Sequence, residues 1–269
     1  MGNDAFFKEH GHPTSCIPPE KYHGATDGLI ALNICKYGMG VKAVDSLPKL
    51  PHIFEEMFNY VNQHTDEEIA TGIDALPGVK RVLTRLAQEE HIICGLVTGN
   101  VEGIARKKMR ATGLLNTKVF APASVEQKEK VWPGCEDISF LGGFGTDFCS
   151  GDIEDVTRLW KDRAHQIAIA VRRAMDQIDH DTQYLAKVIH VGDAHNDVLA
   201  AKWVYDQKLA SRSSGLPQIK VGIIGVATGK YTVEELTKCA GDAVPGKYDV
   251  VILEDGLNDP SFLSHCGID

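Results

Sequence analysis

Two short stretches carry side chains whose types and spacing suit chemistry on an anion. In Leu96-Val97-Thr98-Gly99-Asn100 a hydroxyl directly follows an apolar run. A glycine that permits close backbone approach comes next, at the mouth of a helical pattern. Backbone N–H groups and the helix dipole at such a mouth favour negative charge, and Thr98 adds a donor for a phosphate oxygen. An ordinary helix cap by Thr98 or Asn100 fits the same residues. The second stretch is Val188-Ile-His-Val-Gly-Asp193-Ala-His-Asn-Asp197, where two carboxylates four residues apart follow an apolar run. Such a pair repels itself unless a cation intervenes, and an oxygen-rich, partly hydrated site suits Mg²⁺. The plainer alternative has Asp193 capping a turn and Asp197 complementing a helix N-terminus. His190 and His195 have no third soft ligand nearby in the sequence and read as packed or solvated.

Positioning these groups requires strands that end just before them. From residue 76 onward the pattern alternates between helix and strand. Strands are predicted over 92–97, 118–121, 187–191, 219–226 and 248–253. Helices are predicted after Pro77, over 101–112 with Gly113 as the stop, over 164–178 and over 198–205. Thr232 and Glu235 have the spacing of a capping box. This alternation predicts an α/β fold built on a doubly wound, mostly parallel sheet, which binds ligands at the carboxyl ends of its strands. Residues 24–75 read as a small helical unit, with Ile53, Phe54, Met57, Phe58 and Val61 on one helix face. Residues 1–23, with Pro13, Pro18 and Pro19, read as irregular. The expected organisation is therefore an irregular segment 1–23, a helical cap 24–75 and an α/β core 76–269. The stretch 122–160 is the least readable.

Composition narrows the function. The 269 residues carry 28 Lys+Arg against 37 Asp+Glu, a net charge of −9 that argues against nucleic acid as a partner. With 43% hydrophobic and 24% charged residues the chain is an ordinary globular one. It has no run of apolar residues long enough for a membrane-spanning helix, so no membrane association is expected. Seven scattered cysteines without a Cys-x-x-Cys pair, and no apolar leader after Met1, predict reduced thiols and a cytoplasmic location. The oligomeric state is not legible.

Taken together, the Thr-Gly-Asn and Gly-Asp-Ala-His-Asn-Asp stretches resemble motifs II and IV of the haloacid dehalogenase-like (HAD) hydrolases. The resemblance extends to Leu76-Pro-Gly-Val and to Gly222-Ile-Ile-Gly-Val-Ala-Thr-Gly-Lys-Tyr231, and it covers nearly the whole chain from residue 24. Gly24-Ala-Thr-Asp27, Gly143-Phe-Gly-Thr-Asp147 and Asp162-Arg-Ala164 are similar to the phosphoglycolate phosphatase-like branch. The resemblance implies a Mg²⁺-dependent phosphatase of a small phosphorylated metabolite. Thr98 would bind the phosphoryl group, with Gly99 and Asn100 lining its pocket. Arg163, with Lys161 as the alternative, would be the neutralising cation. Asp193 would hold Mg²⁺ directly and Asp197 would support it, while Thr26 and Asp27 would belong to the closing cap. Ala25 stands where the branch often has arginine, which argues against a small carboxylate-bearing substrate such as phosphoglycolate.

The family's nucleophile, the first Asp of a D-x-D motif at the end of a central strand, has no counterpart here. Asp4 is followed by Ala-Phe-Phe, and Asp27-Gly28 and Asp255-Gly256 lack the first Asp. Omitting that strand leaves two interior edges with orphaned backbone groups. At about 1–3 kcal/mol each, several of these rival a whole-domain stability of about 5–15 kcal/mol. The expectation is thus a phosphatase-type protein, inactive as it stands, and incomplete rather than divergent. A non-catalytic phosphate-binding protein and a metal-independent dehalogenase are the alternatives, the latter disfavoured by the second carboxylate pair.

Overall fold

The computed structural model describes residues 16–22, 24–117, 119–130, 132–179, 183–206, 219–241 and 248–268. Residues 1–15, the greater part of the segment expected to be irregular, lie outside the described residues, as does Lys118 of the strand expected over 118–121.

The chain enters a helical unit at α1 (Asp27–Met39), where the Thr26 hydroxyl accepts the Leu29 N–H at 3.5 Å. In α2 (Leu50–Asn62) the predicted apolar face is the buried one. Phe54 and Phe58 are fully enclosed, with Ile53, Met57 and Val61 packed beside them. A reciprocal capping box of Thr65 and Glu68 opens α3 (Asp66–Ala70). After Pro77, Gly78 adopts φ +83° against the Leu257 carbonyl, a place with no room for a Cβ, and starts α4 (Val79–Leu86).

The strands are parallel but form two separate sheets among the described residues. One is the pair β1 (Leu96–Val97) and β2 (Gly142–Gly143), preceded by a single bridge between Cys94 and Phe120. The other comprises β3 (Lys187–Gly192), β4 (Lys220–Val226) and β5 (Tyr248–Leu253) in the order β3-β4-β5. Between β1 and β2 runs α5 (Glu102–Ala111), ended by Gly113 at φ +69°. Next come α6 (Trp160–Met175), α7 (His195–Asp206) and α8 (Val233–Ala240), the last with the Thr232–Glu235 box in place. No helix among the described residues is long and apolar enough to cross a membrane.

The predicted strand over 92–97 is thus corrected to two residues and a bridge, and that over 118–121 to the bridge at Phe120 alone. The cause is pairing. Among the described residues only one edge of β1 has a partner, so Ile92 and Ile93 stay half-buried and Gly95 is exposed, whereas a doubly covered strand would enclose them. The same contrast runs through the larger sheet. Strand β4, paired on both sides, is buried from Val221 to Val226, while β3 leaves Val191 36% exposed. The helix predicted over 198–205 begins earlier, at His195, because the Asp197 carboxylate accepts the Ala194 N–H at 3.2 Å and caps that turn.

Apolar packing falls into two main clusters. The first joins α1 and α2 to Val101, Ile104, Ala105, Phe140 and Phe144. The second joins α6, α7 and α8 to β3, β4 and β5. Helix α6 touches both halves, since Gly143 lies so close to the Gln166 carbonyl that a Cβ would overlap it. A buried polar network secures the stretch before β2 and after it. Arg173 makes a fork to Asp147 at 2.7 and 3.0 Å and also donates to the Gly142 carbonyl at 2.7 Å. Lys130 reaches Asp147 at 2.6 Å, and Gln127 and Arg106 converge on the enclosed Glu102.

Burial alone would push the Asp147 carboxyl up, but the Arg173 and Lys130 contacts outweigh it and hold it below 3.8. Asp147→Ala should therefore lower stability by about 3–5 kcal/mol near neutral pH, the range for breaking a buried pair. Because the folded-state value is the lower one, that deficit is full above about pH 4 and fades as the pH falls through it. Urea unfolding midpoints of both proteins across pH 7 to 3 provide the measurement.

Candidate functional site

The larger sheet ends in a cleft of about 180 Å³ lined by Gly24, Arg163, Asp193, Ala194, Asn196, Asp197, Lys230 and Tyr231. Three of the residues singled out in the sequence, Arg163, Asp193 and Asp197, meet here. Asp197 begins α7 within the buried wall and is the junction. Its Oδ1 lies 3.1 Å from Arg163 Nε and 3.3 Å from His190 Nε2, and its Oδ2 accepts the Ala194 N–H. Burial pushes this carboxyl up, yet the His190 hydrogen bond, the charges of Arg163 and His190 and the Ala194 N–H together hold it below its ordinary value. His190, expected to be merely packed or solvated, is a partner of the site.

Asp193 is in the opposite condition. It stands exposed at the lip, with its carboxylate backed against Gly229, where a Cβ would overlap it. Partial burial and the neighbouring Asp197 charge push the Asp193 carboxyl up, opposed by its own backbone N–H and by the Arg163 charge. Among the described residues no cation forms an ion pair with it. Arg163 donates from Nη1 to Gln166 Oε1 at 3.1 Å, which fixes the guanidinium at the first turns of α6. Lys161, the alternative cation, instead lies over the Trp160 ring and does not line the cleft.

Thr98, Gly99 and Asn100 do not line this cleft. They sit across the segment 24–27, which spans the gap between the two strand mouths. The Asn196 amide donates to the Gly24 carbonyl at 3.0 Å, and the Asp27 N–H donates to the Gly99 carbonyl at 2.8 Å. Gly99 presses on this segment so closely that a Cβ would come within 2.9 Å of Thr26 Cα. Thr26 is enclosed and serves as the N-cap of α1. The Asp27 carboxylate points away from the cleft, accepting the Val101 N–H at 2.8 Å and contacting the Asn100 amide at 3.2 and 3.4 Å. Burial pushes it up, opposed by Val101, Lys108, Asn100 and Arg163. Lys230 and Tyr231 were within the resembling segment but carried no assigned role. Their signal was only their place directly after a buried strand and a glycine. Tyr231 stacks on His195 with ring centroids 4.0 Å apart.

The donor set is compatible with a hard divalent cation. Asp193 offers a carboxylate with no ion pair among the described residues, beside a second carboxylate, and such all-oxygen sites with remaining waters suit Mg²⁺. Among the described residues no group of three or more His, Cys, Asp or Glu side chains gathers to hold a metal. Comparison of the chain with protein-family models, with curated proteins and with solved structures gave no match in any of the three.

The two carboxylates should respond oppositely to neutralisation. Asp193→Asn should raise the melting temperature at pH 7, because it removes a charge that the fold disfavours. The raised value means that this gain shrinks as the pH falls and the wild-type carboxyl protonates. Asp197→Asn should lower the melting temperature by stranding Arg163 and His190, an effect complete above about pH 4 and fading below it. Calorimetry of the three proteins at pH 4 and pH 7 distinguishes the pair.

Proposed function

We propose that the chain is a HAD-like α/β protein whose two sheets are halves of one doubly wound architecture. Its cleft binds the phosphate group of a small monoester together with Mg²⁺. The observation that carries this reading is Arg163, held by Asp197 and Gln166 in a 180 Å³ cleft beside the uncompensated Asp193. A planar guanidinium suits phosphate, and the Asp193 carboxylate suits a cation that would accompany it. Asp193 would hold the metal with Asp197 behind it, and the bound ion would neutralise charge on phosphoryl oxygens. The Thr98–Val101 turn would add the Thr98 hydroxyl at the mouth of α5, since its Thr98, Asn100 and Val101 N–H groups already donate to Gly143, Thr98 and Asp27. The size of the cleft favours a phosphate with a short organic part over a nucleotide.

Binding without turnover is the expected behaviour of this chain. Attack on phosphorus needs a nucleophile free to reach it. Asp27, the candidate carboxylate on the bridging segment, is committed to Val101 and Asn100. The Cys149 thiol below Gly28 is pushed up to about 12 by burial and the Asp162 charge, so it is no substitute. That Asp197 is already occupied by the Arg163 guanidinium and the His190 ring favours the non-catalytic reading, an anion-binding protein, over an active phosphatase.

Millimolar orthophosphate with Mg²⁺ should raise the melting temperature of the wild-type chain, and p-nitrophenyl phosphate should not be hydrolysed. The shift should vanish in Arg163→Met and lose its Mg²⁺ dependence in Asp193→Ala. Differential scanning fluorimetry and a colorimetric assay give both readouts. Clear turnover abolished by Asp193→Ala would overturn the non-catalytic part, and absence of any phosphate shift would overturn the whole.

A further inference from the structure

The loop at the mouth of β1 is pinned through Asn100 by Lys108, a residue that neither the sequence motifs nor the cleft lining includes. Asn100 uses every polar group it has. Its backbone N–H donates to Thr98 Oγ1 at 3.2 Å, and its carbonyl accepts the Gly145 N–H at 2.8 Å. Its side-chain Nδ2 faces both oxygens of Asp27, and its Oδ1 accepts from Lys108 Nζ at 3.1 Å. Lys108 projects from the second turn of α5 and is half-buried.

This arrangement fixes the amide in one orientation. Turning it over would set the amide oxygen against the Asp27 carboxylate and the amide N–H₂ against an ammonium, losing both contacts. The consequence reaches Thr98. Because Thr98 Oγ1 already accepts the Asn100 N–H, its own hydroxyl hydrogen is left to donate outward, as an anion at the helix mouth requires. Asp27, the first residue of α1, receives the Val101 N–H from the same turn. One chain of contacts therefore joins α5, the loop and the helical unit.

We infer that Lys108 is a positioning residue for phosphate binding, acting through Asn100 to hold the Thr98–Val101 turn and its hydroxyl in the anion-binding arrangement. The inference rests on the anion-binding reading above. Lys108 does not touch the ligand, and Asp27 serves as the counter-charge that keeps the lysine and the asparagine amide aligned.

The test pairs orthophosphate titration in the presence of Mg²⁺ with the ¹⁵N–¹H signals of the Asn100 side-chain amide, on the full chain. Wild type should bind phosphate and show a slowly exchanging Asn100 amide. Lys108→Met should weaken phosphate binding about tenfold, the scale of one charge-assisted hydrogen bond, and should release the amide to fast exchange. Lys108→Arg should restore both. Unchanged phosphate affinity in Lys108→Met overturns the role of Lys108 alone. No phosphate binding by wild type, with the amide still protected, overturns the reading of the cleft and with it this role in binding. Should Lys108→Met fail to fold, the exchange rate of the Asn100 amide in wild type decides, since fast exchange there overturns the pinning.

Discussion

Two parallel sheets that share no backbone ladder among the described residues are linked at their carboxyl ends by the segment 24–27. Two contacts do so: the Asn196 amide on the Gly24 carbonyl and the Asp27 N–H on the Gly99 carbonyl. A continuous sheet would align its strand mouths through hydrogen bonds along each edge. Here β1 and β3 each have an edge without a ladder among the described residues, and alignment falls to α6 and to the segment 24–27. The half-exposed Val191 and the exposed Gly95 show what this arrangement leaves unsealed. The residues with chemical potential sit where the seam closes, so the integrity of the site and the joining of the halves are the same physical problem.

Charge at this seam is arranged by contrast. Asp197 is buried and compensated, Asp193 is at the lip and uncompensated, and Asp27 is half-buried and turned to a helix mouth. Their partners make them three different groups. Asp197 acts as a structural anchor because the Arg163 guanidinium, the His190 ring and a backbone N–H satisfy it. Asp193 remains available to an outside cation because no ion pair holds it among the described residues and the neighbouring Asp197 charge disfavours its own. Asp27 is an electrostatic complement to the N-terminus of α5, where negative charge is favoured. Arg163 stands within the influence of all three and cannot satisfy them equally.

The strands at 187–192, 220–226 and 248–253 were legible because their apolar runs are long and each is bounded by polar or glycine residues. The α1–α2 unit was legible through the Ile53-to-Val61 stripe, which needs only local periodicity. Strand β1 was overread because an apolar run signals the wish to be covered and not the presence of a cover. Ile92 and Ile93 carry the pattern of a buried strand without the second neighbour that would enforce it. The Asp193–Asp197 pair was readable from its spacing, but the division of labour within it depends on His190 and Arg163, which only the fold brings together. Lys108 left no signal at all, since one lysine among Arg106, Lys107 and Arg110 on a basic helix looks like a solvated face. Lys107 in fact reaches the carbonyls at the end of α2, and Arg110 makes a fork to Asp66.

Those basic side chains explain why the helical unit belongs mechanically with β1 and α5. Phe54 and Phe58 share a core with Ile104 and Ala105, and Lys107 and Arg110 hold the ends of α2 and α3 from the same helix. The second cluster centres on β3–β5 and α6–α8, with α6 also lying against Gly143 of β2. A ligand contacting Arg163 and Asp193 on one side and the Thr98 turn on the other would therefore touch two differently packed bodies. Its binding energy would favour whichever relative position satisfies both ends at once, since a ligand shifts an equilibrium only through differential contacts. The segment 24–27 ties the two together: Gly24, with φ +74°, is bonded to the second body and Asp27 to the first, three residues apart. With so short a tether, small relative displacements of the strand mouths must be taken up in the backbone of Ala25 and Thr26, and Thr26 is enclosed and already committed as the cap of α1. The seam is accordingly stiff at its rim, and accommodation of a ligand must come from side chains such as the exposed Lys230 and Asp193 that line the cleft.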